Sequence, residues 1–172
     1  IMSSQKRPNI RKRGYPLPGG VTRLQEGINF AIFSRHATRV TLVIDHWPSG
    51  AKVPSRHEFE LDPAENRTGD MWHILLATHQ QNFSYGYRID GPSDPSDKGL
   101  VYDYGNILID PYSRALLPRK WGEAAGYGQK PCSRIVAQDF DWQKDRPLKT
   151  PLSETIIYEL HIRGFTNDSS SG

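Results

Sequence analysis

The apolar residues of this chain come in short runs with a period of two, and each run is closed by Gly, Pro, Asn or Asp. That punctuation specifies strands and turns and excludes a helical bundle. Ile28 to Phe33 is one run, and Arg39 to Ile44 is a second, with Val40, Leu42 and Ile44 on one face and Thr41 and Val43 on the other. Phe59 and Leu61 mark a shorter strand. The turn Asn66 to Asp70 leads into Met71 to Leu76, where Trp72, Ile74 and Leu76 share a face, and Tyr85 to Ile89 places Tyr85, Tyr87 and Ile89 together. Asp90-Gly91-Pro92 ends that strand, because proline cannot donate to a ladder. A short strand is expected at Ile107 to Ile109, followed by a long irregular stretch, and Thr155 to Ile162 reads as a strong final strand.

Strands of this length and alternation predict an all-β chain built on an antiparallel β-sandwich of roughly seven strands. At 172 residues there is room for one domain, or one domain and a fragment. Trp72 is the expected central aromatic of the core. Cys132 is the single cysteine, so an antibody-type disulfide and a cysteine metal cluster are excluded, and a reducing compartment, the cytoplasm, is the expected location.

The sequence pI of about 9.0 suggests a nucleic-acid partner until the charges are located. Residues 1–13 hold five of the 22 basic side chains and no acid, leaving 17 basic against 19 acidic over the rest. The basicity belongs to the first 13 residues, expected to be a flexible tail, and no nucleic-acid-binding signature follows it. Neither a membrane span nor an apolar secretory segment is expected, since no apolar run approaches the length that either requires.

None of the short motifs that carry a mechanism occurs, whether a metalloprotease helix, a nucleophile elbow or a phosphate loop. The acid pairs Asp62/Glu65, Asp94/Asp97 and Asp139/Asp141 sit where aspartate ordinarily caps turns. The six histidines are scattered singly, so no metal and no cofactor is expected. Aromatic residues offer more, because a sugar ring presents an apolar C–H face that stacks on Trp or Tyr. Trp47 in a turn and Tyr85 and Tyr87 on a strand could form such a platform, with core packing the stronger reading for the two tyrosines.

Seven phrases occur in one order: GYPLPGG, GINFAIFSRHATRVTLVI, NRTGDMWHI, YGYRIDGP, LIDPYSRAL, DFDWQKDRPL and ETIIYELHIRGFT. Together they resemble the N-terminal region of bacterial glycogen debranching enzymes of the isoamylase type, within the alpha-amylase superfamily. The resemblance implies an immunoglobulin-like sandwich of the early-set type over residues 14–112, related to carbohydrate-binding module family 48. It implies a connector over 113–154 and, in 155–172, the first strand of a truncated (β/α)8 barrel. The family's catalytic carboxylates lie on later barrel strands, at their C-terminal ends, and no residue here matches them. No catalytic residue is therefore assigned, and the chain alone is expected to be inactive.

The implied role is a non-catalytic segment that packs beside the barrel and shapes the groove for a branched α-glucan; a free-standing glycogen- or starch-binding module is the alternative. Glycan-binding relatives carry a lysine in the strand and a tryptophan after its Asp-Gly turn. With Asp90-Gly91 set on that turn, Gly86 falls near the lysine and Ser93 near the tryptophan, while Trp47 approximates the other family tryptophan. The implied partners are thus an α-glucan, bound weakly, and the missing barrel. Cut off from its neighbours, the strand 155–162 is expected to self-associate.

Overall fold

A computed structural model of the chain describes residues 11–47, 50, 52–80, 83–92, 100–118, 130–136 and 141–171. The chain divides into two compact units, Ile1–Ala137 and Gln138–Gly172.

Among its described residues the first unit holds ten strands: β1 (Arg11–Lys12), β2 (Gly20–Leu24), β3 (Gly27–Phe33), β4 (Arg39–His46), β5 (Ser55–Glu60), β6 (Arg67–Thr68), β7 (Met71–Leu76), β8 (Phe83–Asp90), β9 (Ala115–Leu116) and β10 (Ser133–Arg134). One antiparallel sheet runs β1-β7-β3-β2, with β6 also on β7, and the other runs β5-β4-β8-β10-β9. The expected Ile107–Ile109 strand is reduced to one antiparallel bridge, Leu108 to Tyr87, on the β8 edge.

Alternation fixes what lies between the sheets. Ile28, Phe30 and Ile32 of β3 and Trp72, Ile74 and Leu76 of β7 meet Val40, Leu42 and Ile44 of β4 and Phe83, Tyr85, Tyr87 and Ile89 of β8 in one buried cluster. Phe30 packs edge-on to Tyr85 with ring centroids 5.3 Å apart, and Tyr85 likewise to Tyr87 at 6.2 Å. Trp72 is fully buried, and its indole N–H donates to the Ser34 carbonyl at 3.0 Å. That bond satisfies the one polar group the indole brings into the core.

Two expected boundaries move. The basic segment does not remain a tail up to residue 13: Arg11 and Lys12 pair with Leu76 and Leu75 of β7, and His73 Nδ1 meets the Arg13 carbonyl at 2.8 Å. Residues 1–10 lie outside the described residues. The sandwich also continues past residue 112, because β9 and β10 extend the second sheet and Leu117 N–H donates to Cys132 O at 2.8 Å. Both shifts have one cause. Unpaired N–H and C=O groups on β7 and β8 need partners, and adjacent chain supplies them.

In the second unit the 3₁₀ turn Leu152–Glu154 and the single helical turn α1 (Ile162–Phe165) are the regular elements among the described residues. Residues 155–160 form no ladder there, although Ile156, Ile157 and Tyr158 are strongly exposed. The expected strand at 155–162 is thus not formed: among the described residues 155–161 join no ladder, and Ile162 opens α1; strands are stable only in company.

Replacing Trp72 with Ala removes the largest core side chain and its bond to Ser34. Urea unfolding should show a loss of about 3–5 kcal/mol; a loss below about 1 kcal/mol would place the indole outside the core.

Candidate functional site

The three residues expected to stack on a sugar do not come together. Tyr85 and Tyr87 point into the sandwich and are each 1% exposed, so neither ring has a face to offer. Period-two alternation put them on one face, and that face is the core. Trp47 follows β4 directly and is half-buried at its end. Of the three, only it stands at the surface.

Burial also governs the chemistry of the tyrosines. Desolvation, together with the nearby Asp110 carboxylate, pushes the Tyr85 hydroxyl pKa up, so the group stays protonated and donates to Asp110 Oδ2 at 2.8 Å. Asp110 is itself buried and had no assigned role from the sequence. Its Oδ1 accepts the Tyr112 N–H at 2.8 Å, and its own N–H donates to Ser133 Oγ at 3.0 Å. Burial raises the Asp110 pKa above its ordinary 3.8, and the bonds from Tyr112 and Tyr85 oppose the rise in part. The carboxylate clasps the Asp110-Pro111-Tyr112 corner to β8, and the Asp110 backbone N–H ties it to β10. The Asp-Pro-Tyr-Ser sequence carries the signal, since a turn aspartate commonly caps the residue two places on.

The outward face of β4 and β8 is closed. Gly86 lies on it, and a Cβ there would stand 2.7 Å from Ile107 Cγ2, 2.8 Å from Leu108 O and 3.4 Å from Pro131 Cα. Thr41 Oγ1 shares a hydrogen bond with Tyr104 Oη at 2.8 Å, and Arg88 donates to the carbonyls of Tyr104 and Gly105 at 3.2 and 2.6 Å. Arg39 covers the Tyr104 ring at 4.3 Å. At the Trp47 end, Arg56 forms a bidentate pair with buried Asp45, at 2.7 and 2.8 Å. The strand position implied for a lysine is therefore packed under the chain's own 107–108 and 131. Ser93, the position implied for a tryptophan, lies outside the described residues.

The acid pairs behave as turn caps where they are described. Asp62 Oδ1 accepts the Ala64 N–H at 2.8 Å, and Asp141 Oδ1 the Gln143 N–H at 2.7 Å; Asp94, Asp97 and Asp139 lie outside the described residues. Among the described residues no three His, Cys, Asp or Glu side chains converge where an ion could be held.

One hollow opens where β3 runs into β4, lined by Phe33, Ser34, Arg35, His36 and Tyr102. Phe33 is 49% exposed. Arg35 Nε donates to Asp70 Oδ2 at 2.8 Å, and its guanidinium lies 5.9 Å from the Phe33 ring centre. None of these residues was singled out from the sequence. The available signal was parity: in INFAIF the core residues are Ile28, Phe30 and Ile32, which leaves a large aromatic, Phe33, on the outward face.

Residues 18–113 match the family model for carbohydrate-binding module 48, the isoamylase N-terminal domain. The chain is 36% identical over 164 residues to chloroplastic isoamylase 1 of Arabidopsis thaliana, covering 92% of this chain and 21% of that protein. It is 38% identical over 165 residues to the glycogen debranching enzyme of Dickeya chrysanthemi, covering 89% and 24%. Among solved structures it is similar in fold to the pullulanase of Paenibacillus barengoltzii in complex with maltohexaose and alpha-cyclodextrin, with a TM-score of 0.57 at 20% identity over 91% of this chain and 21% of the other. The pullulanase of Anoxybacillus sp. LM18-11 complexed with maltotetraose gives a TM-score of 0.54 at 19% identity, over 90% and 19%. The chain thus spans about a fifth to a quarter of the length of the relatives it matches.

The Asp110 clasp has a pH signature. A carboxyl whose folded-state pKa is raised stabilises the fold fully below the unfolded value of 3.8, and that contribution is lost as pH rises through the folded value. Asp110→Asn lacks the titration, so its stability relative to the parent should improve as pH is taken from 3 to 7 in urea melts. Asp110→Ala strands the Tyr85 hydroxyl and the Tyr112 N–H and should cost about 1–3 kcal/mol at either pH.

Proposed function

The chain belongs to the carbohydrate-binding module 48 family of isoamylase N-terminal domains, and on that premise we propose that it is the non-catalytic N-terminal part of an α-1,6-glucan debranching hydrolase. It packs beside a catalytic barrel and shapes the groove that receives a branched α-glucan. The observation that carries this reading is the reach of the similarity. The family model ends at residue 113, whereas likeness to isoamylase and glycogen debranching enzyme extends over about nine-tenths of the chain, into the segment after the sandwich. A binding module alone would not need that segment.

The closed face over Gly86 supports the same division of labour. With Ile107, Leu108 and Pro131 packed there, direct glycan contact through the β4–β8 face is confined to its Trp47 end, which makes affinity weak. The single cysteine, Cys132, is buried, and we propose the cytoplasm, a reducing compartment, as the location.

Native electrophoresis in gels cast with glycogen, paired with reducing-sugar assays on glycogen and pullulan, tests this function. Slight retardation and no sugar release are expected, since glycosidic hydrolysis needs two positioned carboxylates about 5–10 Å apart. Strong retardation abolished by Trp47→Ala would establish a free-standing binding module instead. Sugar release by the chain alone would overturn the non-catalytic assignment.

The segment 155–160 generates a separate expectation. Ile156 is 96% exposed and Tyr158 77%, and an apolar β-rich stretch of this kind recruits another strand. Light scattering should show dimers or larger species that revert to monomer when residues 155–172 are deleted. A clean monomer with 155–162 unprotected in hydrogen exchange would refute self-association through it.

A further inference from the structure

We infer that the hollow between β3 and β4 is a second α-glucan contact, with Phe33 as its stacking face and the Arg35–Asp70 pair as its hydrogen-bonding edge. The inference rests on the carbohydrate reading proposed above but concerns a different surface from Trp47.

The first observation is a gap in coverage. On the outward face of β3, Asn29 and Ala31 are fully buried. Asn29 exchanges hydrogen bonds with the Tyr15 backbone at 2.8 and 2.9 Å as residues 13–15 cross over it. The cover stops short of Phe33, the bulkiest residue of that face, which stays half-exposed beside Arg35 and His36, both of them exposed as well. The chain shields the small residues and leaves the aromatic one half-exposed, with the Arg35 guanidinium over its ring 5.9 Å from the centre.

The second observation is that the open loop is held rigidly. Ser34 N–H donates to Asp70 O at 2.8 Å, and Ser34 O accepts the Trp72 indole N–H at 3.0 Å. Arg67 then donates to the Arg35 carbonyl at 2.9 Å and to the Gly69 carbonyl at 2.8 Å, with its guanidinium 5.1 Å from the Trp72 ring centre. Three backbone groups of Ser34 and Arg35 beside the hollow are thus fixed to the core tryptophan and to the β6–β7 hairpin. A surface loop that only connects two strands has no need of such support, whereas a binding site gains affinity from being preorganised.

The chemistry selects the ligand class. Asp70 orients Arg35 through Nε, and the arginine side chain remains 63% exposed. Donor and acceptor stand side by side next to an aromatic face, with Ser34 and Tyr102 on the wall. A pyranose matches each element: its C–H face stacks on the ring, and its neighbouring hydroxyls accept from guanidinium nitrogens and donate to carboxylate oxygen. A purely apolar ligand would strip water from the ion pair without replacing it.

The test is an NMR titration of the chain with maltoheptaose, in the parent and in Phe33→Ala, Arg35→Ala and Trp47→Ala, with thermal midpoints confirming that each variant folds. Binding near about 1 mM is expected. The Phe33, Arg35 and His36 amides should shift on titration, and Phe33→Ala and Arg35→Ala should each weaken binding about tenfold. If both variants bind like the parent while Trp47→Ala abolishes binding, the hollow is not a glucan contact and the carbohydrate reading stands. If the parent shows no shifts with maltoheptaose, the carbohydrate reading fails and this inference with it.

Discussion

The four central strands of this sandwich are buried on both faces, and most of the remaining architecture follows from that. Two sheets packed face to face cover only their inner sides. Yet Asn29, Ala31, His73 and Leu75 on the outside of β3 and β7, and Thr41, Val43, Asp45 and Ser84 on the outside of β4 and β8, are as inaccessible as the core. Other parts of the chain must therefore lie over both sheets. Residues 13–15 cross the first, close enough that a Cβ on Gly14 would fall 2.7 Å from Leu75 N and from Asn29 Oδ1, at a φ of +77° that glycine tolerates. Residues 104–108 and Pro131 lie over the second, tied by Tyr104 to Thr41 and packed where a Cβ on Gly86 would stand.

The inner side of this arrangement was legible in the sequence, because period-two alternation of large apolar residues has one packing solution. Val40, Leu42 and Ile44, and Trp72, Ile74 and Leu76, occupy the core as their spacing requires. The outer side was not legible. A strand residue such as Asn29 or His73 reads as solvent-facing, since polarity at alternating positions normally marks the wet face. Here each is buried and satisfied: His73 by the Arg13 carbonyl and Thr68 Oγ1, at 2.8 and 2.9 Å. A buried polar group with partners has the same letter as an exposed one. For the same reason β1, β9 and β10 went unread: two-residue strands carry no periodicity, and their existence depends on edges elsewhere in the fold.

The candidate site shows the same division. Tyr85 and Tyr87 had the right chemistry for sugar stacking, but parity with Ile89 already placed them inside, and burial decided the matter. Phe33 had the right parity for the surface and attracted no notice, because a phenylalanine ending an apolar run looks like core. Whether an aromatic is available depends on what covers it. That is a tertiary property, set by where a segment many residues away stops.

Coverage also decides which faces of this sandwich stay open. Gly86 is small because Ile107, Leu108 and Pro131 need its space, and a side chain there would lift the 107–110 segment off β8. That segment carries Asp110, whose carboxylate joins Tyr85 to the corner at Tyr112. Opening the β4–β8 face would therefore strand a buried hydroxyl and a buried carboxyl together, a cost that a stacking contact worth about 1 kcal/mol does not offset. The β3–β4 end carries no such penalty. Its backbone is anchored through Trp72 and Arg67 from beneath, so Phe33 and Arg35 can face outward without loosening the core. Recognition on this scaffold is then expected where the chain's own cover ends rather than across the middle of the sheet.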